Sequence, residues 1–89
     1  MIPEAIPFWM RQRQVKAEPA GEFAVKLTAP NLPSHEIAVE SAAPGWKARL
    51  YRLPVEGQKV LVAEREFDAS GPEAAWMNAY ELYRQQVII

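Results

Sequence analysis

The residues that could carry nucleophilic or acid–base chemistry are few in this chain of 89 residues. His35 is the only histidine, Asp68 is the only aspartate, and the serines are Ser34, Ser41 and Ser70. A Ser-His-Asp relay needs a serine, the histidine and the aspartate side by side in the fold. Ser34 adjoins His35 in a proline-rich stretch, and Ser70 is expected to cap a helix, so neither suits the role of nucleophile. A lone loop histidine is expected to be a solvated surface residue. The sequence therefore predicts a protein that is not an enzyme.

Two glutamates have the spacing of a paired-carboxylate site. Glu64 and Glu66 point the same way along a predicted strand, roughly 6–7 Å apart by strand geometry. Lys26, Lys47 and Arg49 are expected on the same face, where they can pair with these carboxylates across strands. The chain has no cysteine, and its four glycines are scattered singly among turns. We therefore expect cross-strand ion pairs here, and neither a metal nor a cofactor.

Composition limits the class of protein further. A chain of this length forms one domain, and 49% apolar with 24% charged residues favours a folded chain over a disordered one. The net charge of −1 gives no general attraction to nucleic acid or to anionic membranes. No apolar run approaches the ~20 residues of a spanning helix, and the N-terminus lacks the pattern of a signal peptide. A cytoplasmic protein without a membrane partner is expected.

Hydrophobic alternation predicts the strands that must position these groups. Residues 22–28, 36–41 and 46–53 alternate as half-buried strands do. Residues 59–67 are predicted to form a fourth strand, which is apolar on both faces from Val60 to Ala63 and alternates only later. The last two are expected to form a hairpin through the loop 54–58, with Gly57 at a positive φ.

The segment after residue 68 predicts an amphipathic helix. Ser70 and Glu73 have the spacing of a capping box, and Pro72 fits the first turn. One face of the helix is expected to be apolar: Ala75, Trp76, Ala79, Tyr80, Leu82, Tyr83 and Val87.

These elements predict an α+β fold. It consists of an antiparallel sheet of four or five strands, with one C-terminal amphipathic helix packed on one face. Residues 1–18 form an N-terminal arm, and residues 19–89 form the single α+β domain. The inner face of the sheet is expected to carry Phe23, Val25, Leu27, Ile37, Val39, Trp46, Leu50, Leu61 and Phe67.

Two apolar groups are left without an obvious place in that core. The arm contains Phe8, Trp9 and Met10 with no helical or strand period, and the outer face is expected to expose Tyr51, Val60 and Val62. Such a strip is typical of protein–protein contacts, although the arm could instead fold back and cover it.

The C-terminal end is expected to add to this contact. Val87, Ile88 and Ile89 are β-branched and favour an extended end. A binding module that contacts another protein or itself, as a homodimer, is therefore the main prediction.

Three segments also suggest a nucleic-acid function. "GWKARLYR", "KVLVAEREF" and "EAAWMNAYELY" follow the order found in DNA-binding domains of the AP2 and integrase-arm type, which the chain resembles over about half its length. In that family the exposed sheet face enters the major groove, so the resemblance implies DNA contacts by Trp46, Lys47, Arg49 and Arg52. The excess of carboxylates expected on this face opposes phosphate binding. A DNA-binding sheet domain is therefore the alternative prediction.

Overall fold

The fold is a five-stranded antiparallel sheet with helices on one face, as seen in a computed structural model that describes residues 6–88. Each strand pairs with its neighbours in chain order, so the sheet is a meander. This architecture confirms the predicted α+β fold with one long C-terminal helix. The elements are α1 (Phe8–Gln12), β1 (Lys16–Gly21), β2 (Ala24–Thr28), β3 (Ser34–Ala42), β4 (Gly45–Leu53), β5 (Val60–Phe67), α2 (Pro72–Tyr83) and a π-helical turn (Arg84–Ile88).

The core lies between α2 and the inner face of the central strands. The side chains of α2 that were predicted to form its apolar face from Ala75 to Tyr83 are buried, which confirms that face. They meet alternate residues of the strands, because a pleated strand presents every second side chain to one face. The buried strand residues are Val25, Leu27, Ile37, Val39, Ala48 and Leu50.

The N-terminal segment contributes to the same core. Met10, on α1, is fully buried in it. The next element, β1, pairs with β2 as the fifth strand, with Lys16 opposite Thr28. The sequence-based boundary at residue 18 thus falls within a strand of the sheet. Residues 1–5 lie outside the described part of the chain.

Two residues expected on the inner face are exposed instead. Phe23 lies in the turn between β1 and β2 and is 51% exposed. Leu61 is displaced by a β-bulge: Leu50 stands opposite Ala63, and the next residue, Tyr51, stands opposite Leu61. One extra residue on β5 interrupts the alternation, and Leu61 therefore faces outward beside Tyr51.

The prediction of a capping box formed by Ser70 and Glu73 is also wrong. Helix α2 begins at Pro72 with Gly71 as its N-cap, and no side chain caps it. Ser70 therefore lies one residue outside the N-cap, where its hydroxyl cannot take the place of a capping acceptor. Glu73 keeps a smaller role, because its negative charge lies in the first turn at the positive end of the helix dipole.

The end of the chain is helical where extension was expected. Val87 and Ile88 belong to the π-helical turn that continues α2, and both pack against the core. Apolar contact with the core outweighs the weak preference of β-branched residues for extended backbone. Ile89 lies outside the described residues.

Gly57 has φ +94°, which confirms the predicted positive-φ position in the loop before β5. Gly57→Val is expected to lower the free energy of unfolding by about 1 kcal/mol or more, because a β-branched residue is strained at that φ. No heavy atom lies within 4 Å of a Cβ built at this position, so the cost is conformational. Urea denaturation would measure it, with Gly21→Val as control because Gly21 has no positive φ. Equal losses in both variants would contradict this explanation.

Candidate functional site

The centre of the outer face is a network of cross-strand ion pairs. The Arg49 guanidinium lies 2.7 Å from a carboxylate oxygen of Glu40 and 3.0 Å from one of Glu64. The Lys47 ammonium lies 3.4 Å from Glu64 and 3.6 Å from Glu66. Neighbouring strands bring these residues together, since Arg49 stands opposite Glu64 and Lys47 opposite Glu66. The structure therefore contains the ion pairs predicted for Lys47 and Arg49, whereas Lys26 stands opposite Glu36 on β3, away from β5.

This network makes the paired glutamates poor acid–base groups. Hydrogen bonds from Arg49 and then Lys47 lower the pKa of Glu64, and the hydrogen bond to Glu64 raises the pKa of Arg49. A general acid needs the opposite shift, because it must hold a proton near neutral pH. Among residues 6–88, no group of three or more histidine, aspartate and glutamate side chains is placed to hold a metal ion. The ion pairs are solvent-exposed, so each contributes little to stability.

His35 is buried on the inner face, which corrects the expectation of a solvated loop residue. Strand β3 begins at Ser34, so position 35 already alternates toward the core. The Nδ1–H group donates to the Pro33 carbonyl at 2.9 Å, and the ring meets Tyr83 edge-on at 5.7 Å. Burial lowers the pKa of His35, the hydrogen bond to Pro33 opposes this, and the charge of Arg52 lowers it further. These contacts give His35 a structural role.

The lowered pKa of His35 predicts acid sensitivity. Folding favours the neutral ring, so the unfolded chain binds the proton first as the pH falls below the ordinary value of 6.5. The stabilisation is fully present above pH 6.5 and is lost as the pH falls toward the folded-state pKa. Urea denaturation at pH 7.5, 6.5 and 5.5 should show this loss in the wild type, and His35→Leu should show less of it. Parallel pH profiles would assign the loss to other groups.

A run of consecutive exposed aliphatic residues lies at the start of β5. Val60, Leu61 and Val62 are 47%, 49% and 42% exposed, and Tyr51 is half-buried opposite Leu61. We call these four residues the β5 cluster. The sequence predicts that three of them are exposed but assigns Leu61 to the inner face, because the uniformly apolar run Val60–Ala63 does not show which side chains point outward.

The cluster extends around the strand. Val60 stands opposite Arg52, on the other side of the sheet from Tyr51 and Leu61. The exposed apolar residues therefore do not form the predicted strip on one face. They lie on both faces of the sheet at the start of β5.

A lysine borders the cluster. The Lys59 ammonium lies 4.6 Å from the centre of the Tyr51 ring and 2.7 Å from a carboxylate oxygen of Glu36. The hydrogen bond to Glu36 raises the pKa of Lys59. The charge of Lys59 is therefore already compensated within the chain.

The three contact residues predicted in the arm have different environments. Met10 is buried in the core, and Trp9 is half-buried and stacks on Tyr83 at 6.3 Å between ring centres. Phe8 is largely exposed on α1. Helix α1 packs near α2 on the inner face, so these three do not join the β5 cluster.

The four residues implied by the DNA-binding resemblance do not share a face. Alternation along β4 places Lys47 and Arg49 outward, while Trp46 packs against the core and Arg52 stands opposite the buried His35. The two outward cations already contact three carboxylates. Since phosphate affinity comes mainly from available cations, this arrangement does not favour DNA.

Comparison with known proteins adds no further guidance. No family model matches the chain, and no curated protein or solved structure shows significant similarity to it. Within residues 6–88, none of the helices combines the length and apolar character needed to cross a lipid bilayer. A functional proposal therefore depends on the geometry described above.

Proposed function

We propose that this chain is a small non-catalytic binding module that contacts another protein chain, its own or a different one, through the β5 cluster. The observation that carries the proposal is the exposure of three consecutive aliphatic residues, Val60, Leu61 and Val62, on an edge strand. Single exposed apolar residues are ordinary on protein surfaces. A contiguous group beside a tyrosine is the pattern that protein contacts use.

The surroundings of the cluster support a protein partner of low charge. Lys59 pairs with Glu36, and Arg49 pairs with Glu64, so the rim is polar and the charges of these two cations are compensated. A strongly charged ligand would gain little from such a surface. An apolar centre with a polar rim suits another folded protein surface or an exposed strand.

Photo-crosslinking in intact cells tests this proposal. A photoreactive phenylalanine analogue at position 61 is expected to give a covalent adduct whose mass identifies the partner. The same analogue at position 78 is the control, since Asn78 is exposed on α2. An adduct at position 61 that is absent at position 78 supports the proposal. No adduct at position 61, or equal adducts at both positions, would overturn it.

A further inference from the structure

The two edges of the sheet differ in how they resist the addition of another strand. On β1, Pro19 has no amide hydrogen to donate, and the register shifts between Pro19 and Gly21. Lys16 and Glu18 add exposed charge to the same strand. Proline, irregular register and charge are the devices by which natural sheets protect an edge. The β1 edge is therefore blocked.

The first half of β5 has neither proline nor charge, and its one irregularity is the bulge at Val62. Among residues 6–88, β5 pairs with β4 alone, so its other side has backbone groups directed away from the sheet. The strand contains no proline, and its first four residues, Val60–Ala63, are all aliphatic. An open edge with exposed apolar side chains is a template for a further antiparallel strand.

We propose that the strand added here is β5 of a second copy of this chain, paired antiparallel about a two-fold axis at Leu61. This inference depends on the proposed function, because it assigns a partner to the same cluster. The resulting dimer would have a continuous sheet of ten strands, twice the five described here. Each copy would hide its aliphatic residues against those of the other.

Charge disfavours an axis in the second half of β5. A two-fold axis at Arg65 would place Arg65 opposite its own copy and Glu64 opposite Glu66 of the other chain. Like charges directly opposite each other destabilise a strand pair. An axis at Leu61 avoids this, because Leu61 faces its own copy and Val60 faces Val62.

The two residues that precede β5, Gln58 and Lys59, are complementary to the middle of the strand in this register. With the axis at Leu61, Lys59 lies opposite Ala63, and Gln58 lies opposite Glu64. The carboxylate of Glu64 then has a neutral amide opposite and an ammonium one residue away. A strand that fits this edge must have about four apolar residues, followed by residues that are not acidic where they stand opposite Glu64. The segment from Gln58 to Ala63 has this composition.

Cysteine crosslinking tests the register directly, since the chain contains no native cysteine. Residues that face each other in an antiparallel pair have Cα atoms about 4.5–5.5 Å apart, which a disulfide can span. Leu61→Cys is therefore expected to form a disulfide dimer under mild oxidation at least about tenfold faster than two matched controls. Glu66→Cys tests the charged half of β5, and Val55→Cys tests an exposed aliphatic position outside the strand. Equal rates in all three variants would overturn the proposal.

The unmodified chain provides a second readout. Sedimentation equilibrium at protein concentrations on the order of 10 µM to 1 mM should show reversible dimers, because an interface of small area is expected to bind weakly. Leu61→Lys should remain monomeric, whereas Val55→Lys should dimerise like the wild type. A wild-type monomer throughout this range overturns the self-pairing.

The two proposals fail separately. If the chain is monomeric but position 61 crosslinks to a different protein in cells, the binding function stands and the second copy is excluded. If position 61 gives no adduct in cells and the purified chain is monomeric, both are excluded. Should Leu61→Lys fail to fold, the disulfide rates remain decisive because Leu61→Cys is a smaller change at a half-exposed site.

Discussion

Trp76→Ala is expected to lower the free energy of unfolding by about 3–5 kcal/mol, the largest loss from any single truncation considered for this chain. Trp76 is buried on α2 and packs against Tyr80 at 5.8 Å between ring centres. Its removal would leave a cavity between α2 and the sheet that neighbouring side chains cannot fill. Small domains are stable by only about 5–15 kcal/mol, so much of the variant should be unfolded at moderate urea concentrations. Circular dichroism during urea denaturation measures the loss.

Phe23→Ala is the matched comparison, because an aromatic residue is again truncated to alanine. The alternation of β2 assigns Phe23 to the core, which would make the two losses similar. The structure exposes about half of its side chain in the β1–β2 turn. We therefore expect a loss of less than about 1 kcal/mol, because little apolar surface returns to water. Losses of equal size would show that Phe23 is a core residue after all.

Gly45→Ala is expected to lower the free energy of unfolding by about 1–3 kcal/mol, because the added methyl group overpacks a crowded site. A Cβ built on Gly45 would lie 2.6 Å from the Phe67 carbonyl oxygen and 3.0 Å from Oδ1 of Asp68. The carbonyl belongs to the backbone of β5, so relief of the clash requires the two strands to separate locally. The shift of the urea midpoint measures the cost.

Gly21→Ala controls for the loss of a glycine in a strand. A Cβ at Gly21 would have the Ala24 Cβ at 3.8 Å as its nearest neighbour, an ordinary contact. The free energy of unfolding should therefore change by no more than about 0.5 kcal/mol. A small effect at both positions would mean that β4 and β5 adjust without strain at Gly45.

The parts of the fold that follow a strict period could be predicted from sequence. The buried face of α2, with Trp76 and Tyr80, follows from helical spacing, and Val25 and Leu27 follow from alternation. Each of these patterns repeats several times within one element. The fold class follows from the same patterns.

The wrong predictions occur where a single residue changes which face a side chain takes or where an element begins. An extra residue on β5 turns Leu61 outward, and its presence depends on the pairing with β4. The start of α2 at Pro72 moves the N-cap to Gly71 and leaves Ser70 outside the helix. Such outcomes depend on contacts between segments, so local sequence does not determine them.

The candidate surface was only partly predictable for the same reason. Tyr51, Val60 and Val62 could be recognised as apolar residues without a place in the core. Leu61, which we place at the centre of the contact, could not, because its side depends on the bulge. The burial of Met10 had no signal either, since α1 has five residues and is too short to show a helical period.

The meander order has a consequence for how the chain folds. Because every strand pairs with its neighbour in sequence, each hairpin closes a short loop, and the entropy lost at each step is small. During synthesis from the N-terminus, the five strands emerge before α2. A nascent sheet therefore presents Val25, Ile37, Leu50 and their neighbours to water until residues 72–83 leave the ribosome. Transiently exposed apolar surface of this kind favours aggregation until α2 covers it.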